Sequence, residues 1–600
     1  MKVKSSYGLL LLGTLIPLND AFHVHQIDKR QQKDAIATPE IPPLRPLPWG
    51  DVNFLHTTDS HGWLEGHVSQ GSYNGDLGDF YSFTVRMKEK AKKMKKDLFI
   101  VDTGDTHDGN GLSDITSPRG LLSQPLLTQI PYDLLTIGNH ELYVDDITND
   151  TLRNFIPHWK DKYLAANVYV KDANTNVTVP ITKNKYTYFE GKYGTRVLAY
   201  GFLFNFQKNG KMSVIKSVED EIKQPWFQKS LVKHKPDIIV LIGHMGLHSS
   251  EFASLIKEIR AHYPTIPITV FGGHTHIRDA AIYDPWAAGI QSGRYLETIG
   301  FFSLKYDKKT SKHDHHHPRN VTFARRYLDQ NRYTYIHHSV DGKEKKFDTK
   351  EGKKITEKIQ QLRKEYDLSI QLGCAPQDYK MSAVPPDDPS SVFYLLTREV
   401  LPKVVTEPQA KNPAYFLANS GSVRYDIDKG PFLIGNMYQL SPFEDYFYAI
   451  QNVPYDVVDK VLPLLNKEGE KMMKRNIQWL KDQSTADDAD EITSLDRRTP
   501  ITPGYVTVDD FGTDGDDTEH IPVDTYTIPA FIGSEIPKND TGFVDIVYFD
   551  FIDNQLKALL QSLTGQTWTT NKRYGDPKIT SSTIWIHFAE QYWNTTGSCF

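Results

Sequence analysis

The stretch VNFLHTTDSH, residues 52–61, is an apolar run that ends in two potential metal ligands. Short runs rich in Val, Phe and Leu are typical of buried β-strands. Asp59 and His61 are two positions apart, so an extended backbone directs both side chains to the same side. The stretch therefore predicts a strand that delivers a carboxylate and an imidazole to one edge of a sheet.

Four more clusters along the chain share this design, in which an apolar run is followed at once by Gly, Asp, Asn or His. They are Gly104-Asp105-Thr106-His107-Asp108, Gly138-Asn139-His140-Glu141, Gly243-His244 and Gly272-Gly273-His274-Thr275-His276. Loops at the carboxyl ends of strands form the active-site rim of an α/β sheet. A single such cluster is more often an ordinary turn, but five in order indicate one site assembled from distant segments.

The ligand types in these clusters suit a hard-to-borderline divalent cation, which prefers carboxylate, amide and imidazole donors. A single Asp between two cations can hold them ~3.5–4 Å apart, the spacing used in binuclear phosphoryl chemistry. The chain has only two cysteines, which excludes a Cys-rich zinc or iron–sulfur fold. The sequence thus predicts a metal site built from Asp, Asn and His.

Length and charge narrow the class of protein further. A chain of 600 residues exceeds what one hydrophobic core supports, so we expect more than one domain. Lys and Arg number 69 against 75 Asp and Glu, which gives a net charge of −6. This balance argues against a binder of nucleic-acid polymers or anionic membranes.

The N-terminus has the features of a secretory signal peptide. Lys2 and Lys4 precede an apolar run over 7–18, which is too short for a membrane span. We expect residues 1–21 to be the signal peptide, with an uncleaved anchor as the alternative, and residues 22–48 to be a Pro-rich lead-in. The remaining chain contains no apolar stretch long enough to cross a bilayer.

Five glycosylation sequons support passage through the secretory pathway, although each triplet alone is a weak signal. Their acceptors are Asn149, Asn176, Asn320, Asn539 and Asn594. We therefore expect the protein in the lumen of the secretory pathway, with the vacuole or the extracellular space as its destination.

The chain divides into two α/β regions. Residues 49–340 are predicted to form the catalytic domain, 341–368 a linker helix with Ile355, Ile359 and Leu362 at helical spacing, and 369–600 the second domain. A segment rich in Asp, Thr and Gly, 482–517, is expected to be an exposed insertion. A calcium site is the less favoured alternative, because the segment lacks the spacing of a calcium loop. The tract at 313–317 contains four histidines and is interpreted as an exposed loop.

Taken in order, the five clusters resemble the calcineurin-like metallophosphoesterase superfamily, and residues 55–62 resemble its 5′-nucleotidase branch. The resemblance implies an N-terminal four-layer β-sandwich flanked by helices and a second α/β domain that binds substrate. It implies one metal held by Asp59, His61, Asp105 and His276, and another held by Asp105, Asn139, His244 and His274. Asp105 would bridge the two, and His140 would be the catalytic residue.

The sequence departs from that branch at two positions. The branch usually has an Asp three residues after the catalytic His, where this chain has Tyr143. Asp145 or Asp146 is expected to substitute, or His140 is oriented in another way. The branch also usually has Gln or Asn at the position of His276, although His is usual at this position in the superfamily as a whole.

The second domain contains a candidate phosphate-binding turn. Residues 418–424 place Asn419 and Arg424 around small residues, and an Arg can fork onto a phosphate. Alone this pattern is more often a simple turn, but it resembles the substrate-binding segment of 5′-nucleotidases. Phe443 lies in a stretch that resembles the source of one base-stacking aromatic; a core Phe is the alternative. Residues 528–535 do not match the segment that supplies the second aromatic, so a two-sided clamp is not predicted.

Cys374 and Cys599 can pair in an oxidising lumen and would tie the C-terminus to the start of the second domain. The sequence assigns no oligomeric state.

We therefore expect a phosphoester hydrolase that uses two divalent ions (Zn, Mn or Fe) and acts on a small phosphorylated substrate. A nucleotide is the leading substrate by resemblance. The alternatives are a phosphodiesterase or a phosphatase for nucleotide sugars, cyclic nucleotides or polyphosphate, and a non-enzymatic lumenal module that binds metal or nucleotide.

Overall fold

A computed structural model describes residues 32, 34–39, 44–171, 177–306, 320–467, 504, 508–538, 542–593 and 599. The predicted signal peptide, the histidine tract at 313–317, the sequons at Asn176, Asn539 and Asn594, and residues 482–503 of the acidic segment lie outside the described residues.

Within the residues that the structure describes, the first domain contains two large β-sheets and one small one. Their strands are β1 Val52–Thr57, β2 Asp97–Asp102, β3 Leu134–Leu135, β4 Val168–Lys171, β5 Thr178–Pro180, β6 Tyr186–Glu190, β7 Arg196–Leu203, β8 Ser213–Ile215, β9 Ile238–His244, β10 Ile268–Gly272, β11 Arg278–Asp284, β12 Ala287–Ser292, β13 Thr298–Tyr306 and β14 Val321–Asp329. One sheet has the order β14–β13–β1–β2–β3 and the other β11–β12–β10–β9–β7–β6, while β5–β4–β8 form a small third sheet.

The alternation along β1 explains how the two large sheets pack. Phe54 contributes to an apolar layer between the sheets, where it meets Phe271 of the second sheet at a ring distance of 4.9 Å. Leu55, the next residue, belongs to the core on the other face, beneath the helices. Every residue of β1 is buried, as expected for a strand with a packed layer on each side.

Helices cover the outer face of each sheet. They are α1 Leu77–Met94, α2 Gly111–Asp114, α3 Ser123–Leu127, α4 Asp145–Asp150, α5 Ile156–Trp159, α6 Val218–Glu221, α7 Pro225–Lys233, α8 Ser250–His262, α9 Arg332–Val340 and α10 Lys350–Glu365. Phe80 of α1 packs in the core of the first sheet, and Phe252 of α8 packs in that of the second. The layers are therefore helix, sheet, sheet and helix, which confirms the predicted fold class.

The segment predicted as a linker is helical over α10, and this helix is part of the outer layer. Ile355, Ile359 and Leu362 are buried in the same core as α1. Close approach of the two helices requires glycine, because a Cβ at Gly78 or Gly352 would overlap the facing helix.

The second domain is also α/β. Its elements are β15 Gln371–Ala375, α11 Val392–Tyr394, α12 Leu401–Val404, β16 Ala414–Asn419, β17 Gly430–Leu433, α13 Ile434–Leu440, β18 Phe447–Pro454, α14 through the described residues 455–467, β19 Phe531–Gly533, β20 Phe543–Phe549, α15 Asp553–Thr564, β21 Asn571–Lys572 and α16 Thr583–Tyr592. Its main sheet has the order β19–β16–β20–β18–β21. Cys374 of β15 forms a disulfide with Cys599, with 5.6 Å between the Cα atoms.

Residues 508–520, which we call the acidic strap, pack on the first domain. Arg278 of β11 donates to Asp516 at 2.6 Å, and His338 of α9 lies 2.7 Å from Asp517. Both carboxylates are fully buried. The prediction of an exposed insertion is therefore wrong for this stretch, because its carboxylates find partners on elements far away in the sequence.

Among the residues that the structure describes, none of the helices has both the length and the apolar character needed to cross a membrane.

Candidate metal centre and substrate cleft

The predicted ligands lie together at one edge of the two sheets. β1, β2 and β3 are parallel neighbours in one sheet, and β9 and β10 are parallel neighbours in the other. Their carboxyl ends carry the side chains singled out from the sequence: Asp59, His61, Asp105, Asn139, His140, His244, His274 and His276. Strand direction thus converts five separate motifs into one cluster.

Asp59, His61 and His276 form the first ligand group. The Nε2 atom of His276 lies 3.2 Å from Asp59 Oδ1 and 3.1 Å from His61 Nε2. One ligand atom from each of the three residues lies within 4.8 Å of the others. Two imidazole nitrogens and a carboxylate oxygen therefore face a common point, as ligands of one cation do.

Asp105, His244 and His274 form the second ligand group, in which the ligand atoms again lie within 4.8 Å of one another. Asp105 Oδ2 is 3.0 Å from His244 Nε2 and 3.8 Å from His61 Nε2 of the first group. One carboxylate therefore faces both groups, which is the arrangement needed for a bridging ligand.

Backbone carbonyls orient two of the imidazoles. His61 Nδ1 lies 2.5 Å from the carbonyl oxygen of His107, and His244 Nδ1 lies 2.7 Å from that of Thr103. A carbonyl only accepts hydrogen bonds, so each Nδ1 carries the proton. Each Nε2 then points into the cluster, and an Nε2 without a proton is the tautomer that a metal ligand requires.

Asn139 adds an oxygen to the second group. Its Nδ2 donates to the Tyr143 hydroxyl at 3.1 Å, while its Oδ1 is buried and has no hydrogen-bond partner within the described chain. An unpaired buried amide oxygen is costly unless it faces a cation. This atom therefore fits the role of a neutral metal ligand.

The backbone around the ligands is strained. Asp59, His61, Asp105, His274 and His276 all have positive φ, between 44° and 75°. Left-handed conformations at residues other than glycine cost about 1–3 kcal/mol each and cluster at functional sites. The chain accepts this cost in order to aim five ligand side chains at one volume.

The electrostatics of the cluster favour the protonation states in which most of these side chains can bind a metal. Burial lowers the pKa of His276 to about 4, and burial together with Arg424 holds the pKa of His61 well below its usual value. Burial opposes ionisation of Asp105, but His244 and His140 outweigh it and keep the Asp105 pKa low. Neutral imidazoles and ionised carboxylates are the forms that bind metal.

His244 differs from the other imidazoles. Burial disfavours its charged form, but Asp105 and Asp59 raise its pKa to about 10. Two carboxylates thus attract positive charge at this position, and a divalent cation would take the place of the His244 proton.

His140 is held by a carboxylate that sequence reasoning did not choose. Its Nδ1 lies 2.6 Å from Asp108 Oδ2. Asp145 instead accepts a hydrogen bond from the backbone of Met212, and Asp146 is exposed. Neither Asp145 nor Asp146 therefore orients His140, and the remaining alternative, that His140 is oriented in another way, describes the structure.

Glu141 joins two of the loops that carry candidate metal ligands. Its carboxylate accepts from the backbone N–H groups of Gly138, Asp105 and Thr106 at 2.6–3.2 Å. A Cβ at Gly138 would overlap the Asp105 carboxylate, so glycine is required there. The Asn139 and Asp105 loops are therefore fixed relative to each other.

Arg424 reaches the metal ligands from the second domain. Its Nη2 is 3.4 Å from His61 Nε2, and its Cζ lies 5.7 Å from the centre of the Phe443 ring. Phe443 is half-buried, and Asn419 ends β16 with a buried Oδ1 that has no hydrogen-bond partner among the residues described. The structure therefore joins Arg424 and Phe443 to the metal cluster, but gives Asn419 no contact with it.

Aromatic residues that no motif indicated support Arg424. Tyr295 lies with its hydroxyl 3.4 Å from Arg424 Nε, and Trp63 stacks on Tyr295 at 5.3 Å. Tyr425 of the second domain lies 4.7 Å from Trp63. These contacts join the domains beside the cluster, and aromatic content alone could not have located them.

Fold and site together define a calcineurin-like phosphoesterase. Residues 52–278 match the calcineurin-like phosphoesterase family, and residues 378–557 match the family described as NAD nucleotidase, C-terminal domain. Calcineurin-like phosphoesterases are hydrolases that bind divalent metals. In the described chain, three overlapping groups of side chains could hold such ions: the two ligand groups above, and a third that consists of His61, Asp105 and His140.

Three individual proteins are similar to this chain over most of its length. A "Secreted protein" of Arthroderma benhamiae is 34% identical over 94% of this chain and 93% of its own. An uncharacterized protein of Schizosaccharomyces pombe is 37% identical over 92% of this chain and 93% of its own. A crystal structure of 5′-nucleotidase from Candida albicans is 36% identical with a TM-score of 0.80, covering 92% of this chain and 100% of that one. The chain belongs to the 5′-nucleotidase branch of the calcineurin-like metallophosphoesterases.

Proposed function

We propose that the protein is a two-metal-dependent phosphoester hydrolase that removes phosphate from nucleotides. The observation that carries this proposal is the position of Arg424 of the second domain, 3.4 Å from the metal ligand His61. A metal cluster and a guanidinium that face one volume suit a small phosphate ester. Similarity to the Candida albicans 5′-nucleotidase over 92% of this chain supports a nucleotide as that ester.

The proposed metal ligands are those assigned from the sequence. One ion would be held by Asp59, His61, Asp105 and His276, and the other by Asp105, Asn139, His244 and His274. Bound divalent ions would supply positive charge for the phosphoryl oxygens and activate water for attack. Imidazole, amide and carboxylate donors suit Zn, Mn or Fe.

The chain's own residues would orient the substrate. The Arg424 guanidinium presents a planar fork to phosphate oxygens and lies beside the Phe443 ring. The part of that ring left exposed offers an apolar surface on which a nucleobase can stack. Asn419, whose Oδ1 is buried and lacks a partner within the described chain, is the third proposed substrate contact.

His140 is the proposed catalytic residue. Its Nε2 lies 3.9 Å from Asp105 Oδ2, which places it beside the metal cluster, and Asp108 holds its other nitrogen. From this position the imidazole can donate a proton to the leaving 5′-oxygen of a nucleotide.

A substrate panel tests the proposal. The protein, loaded with Mn²⁺ or Zn²⁺, is assayed on AMP, p-nitrophenyl phosphate, UDP-glucose, a cyclic nucleotide and polyphosphate. We expect AMP to have the highest kcat/KM. An AMP rate no better than that of the generic ester p-nitrophenyl phosphate would reject nucleotide specificity, and no turnover of any ester would leave only a binding module.

We also propose a lumenal location, in the vacuole or outside the cell. The apolar N-terminus, the sequons and the similarity to a fungal "Secreted protein" support it. Of the sequons in the described chain, Asn320 is exposed, whereas Asn149 is half-buried and accepts from Arg153 at 2.8 Å. A mass shift on endoglycosidase treatment tests this, and an unshifted protein that retains residues 1–21 would contradict it.

A further inference from the structure

Arg119 joins the two domains at a point where no motif predicted a contact. Its Nη1 donates to Asp108 Oδ1, and its Nη2 donates to the backbone carbonyl of Pro442 in the second domain. Only 18% of its side chain is exposed. The guanidinium is therefore held between a carboxylate of one domain and a carbonyl of the other.

Asp108 is itself a constrained residue. Its φ is 66°, in the left-handed region, and its N–H donates to Asp114 Oδ1 at 3.0 Å. The N–H of Gly109 donates to the other oxygen of Asp114 at 2.7 Å. The backbone at Asp108 is thus fixed, and what remains to be set is the orientation of its carboxylate.

The two oxygens of that carboxylate have different partners. Oδ2 lies 2.6 Å from His140 Nδ1, and Oδ1 accepts from Arg119. A guanidinium is planar, so a hydrogen bond from Nη2 to the Pro442 carbonyl restricts where Nη1 can lie. Arg119 therefore links the second domain to the carboxylate that faces His140.

We propose that Arg119 is a positioning residue that aligns His140 through Asp108 only while the second domain is docked at Pro442. Pro442 directly precedes Phe443, the proposed base contact, so the loop that would touch the nucleobase also anchors Arg119. The proposal rests on the proposed function, since it requires His140 to protonate a leaving group. A structural ion pair would affect folding alone, whereas a positioning residue affects the step that His140 assists.

The leaving group provides a readout for this difference. The 5′-oxygen of AMP is a poor leaving group that needs a proton, whereas p-nitrophenolate leaves readily without one. Arg119→Ala should lower kcat for AMP ~10–100-fold, because misalignment removes part of the usual benefit of general-acid catalysis. The kcat for p-nitrophenyl phosphate, the KM values and the metal content should change less than ~3-fold.

Arg260 provides a matched control. Its side chain is 16% exposed, it pairs with Asp284 at 2.8 Å, and it donates to the carbonyl of Ile266 at 2.8 Å, far from the cluster. Arg260→Ala should leave the ratio of AMP to p-nitrophenyl phosphate rates unchanged. Arg119→Lys keeps the charge without the planar fork, so kcat for AMP should fall less, by ~3–10-fold. This second variant keeps the proposal testable if Arg119→Ala fails to fold.

A double-mutant cycle completes the test. In the Asp108→Asn background, Arg119→Ala should have little further effect on AMP turnover, because the two residues act as one unit. Equal losses on both esters, additive effects in the cycle, or wild-type rates in Arg119→Lys would overturn the proposal. If the wild type hydrolyses neither ester, the proposed function fails instead, so the two failures are distinguishable.

Discussion

Buried aspartates gather in two regions, the metal centre and the contact between the acidic strap and the first domain, and their partners differ. At the strap contact, Arg278 of the first domain pairs with Asp516 of the strap at 2.6 Å and with Asp329 of β14 at 2.8 Å. In the metal centre, no Lys or Arg of the described chain forms an ion pair with Asp59 or Asp105, which face imidazoles instead. The same residue type thus closes one region with internal counter-charges and leaves the other open to a cation.

The backbone shows the same contrast. Within the strap, positive φ occurs only at Gly512 and Gly515, where it costs little. In the metal centre it occurs at the ligands themselves, including Asp59 and Asp105. We infer that the strap is built for stability, whereas the centre gives up stability for ligand geometry.

The largest expected effect comes from the bridging position. Asp105→Asn removes the one carboxylate that faces both ligand groups, and we expect kcat for p-nitrophenyl phosphate to fall ~10⁴-fold, about 5 kcal/mol of transition-state stabilisation. The metal content, measured by mass spectrometry, should fall as well. A fully active Asp105→Asn protein would reject the metal centre.

Next in size is a change in the strap. Arg278→Met leaves the buried Asp516 and Asp329 without their shared arginine, so the free energy of unfolding should fall by ~3–4 kcal/mol. Urea unfolding measures the loss. The metal content without urea should equal that of the wild type. A variant with the stability of the wild type but without bound metal would contradict the distinction between the two regions.

The strap should also give stability a pH dependence. Burial opposes the charge of His520, but hydrogen bonds to Asp329 and Asp516 raise its pKa to about 9 from 6.5. Protonated His520 contributes up to ~2–3 kcal/mol to the free energy of unfolding. This contribution is complete below pH 6.5 and is lost as the pH rises through about 9. Arg278, which also faces His520, keeps its charge throughout this range.

Comparison of the wild type with His520→Gln isolates the contribution of His520 to the free energy of unfolding. Between pH 6.5 and about 9, the wild type should lose unfolding free energy relative to the variant in metal-loaded protein. A constant difference between the two across that window would show that His520 does not titrate as described.

The smallest expected effect tests how tolerant the metal centre is. The His276 side chain is 22% exposed, the Asp59 carboxylate beside it is fully buried, and Gln keeps one neutral donor at the position. We expect His276→Gln to lower kcat/KM by less than ~10-fold, about 1 kcal/mol. A loss of kcat/KM as severe as that of Asp105→Asn would show that the metal centre does not tolerate a change at His276.

The fold, and the gathering of Asp, Asn and His side chains at one edge of the sheets, could be predicted from the sequence because both depend on local patterns. Apolar runs that end in Asp59 or His244 predict strands, and parallel strands bring their carboxyl ends to one edge. The ordered motifs carry a resemblance to the calcineurin-like family, the four-layer fold is what that resemblance implies, and the comparisons confirm both.

The partners of charged residues could not be predicted in the same way. Asp108 is 32 residues from His140, and Asp516 is 238 residues from Arg278. Composition identifies such residues as charged, but only the packing of distant elements decides whether a carboxylate is exposed, paired or directed at an imidazole such as His140. The sequence therefore leaves the partner of His140 open between Asp145, Asp146 and another orientation, and it predicts an exposed strap.

Anomalous diffraction from metal-loaded crystals of the wild-type protein tests the central claim most directly. We predict two peaks ~3.5–4 Å apart. One should lie among Asp59, His61 and His276, and the other among Asp105, His244 and His274. Crystals in which both positions lack a peak at saturating metal, or in which the ions lie at the acidic strap, would contradict the account.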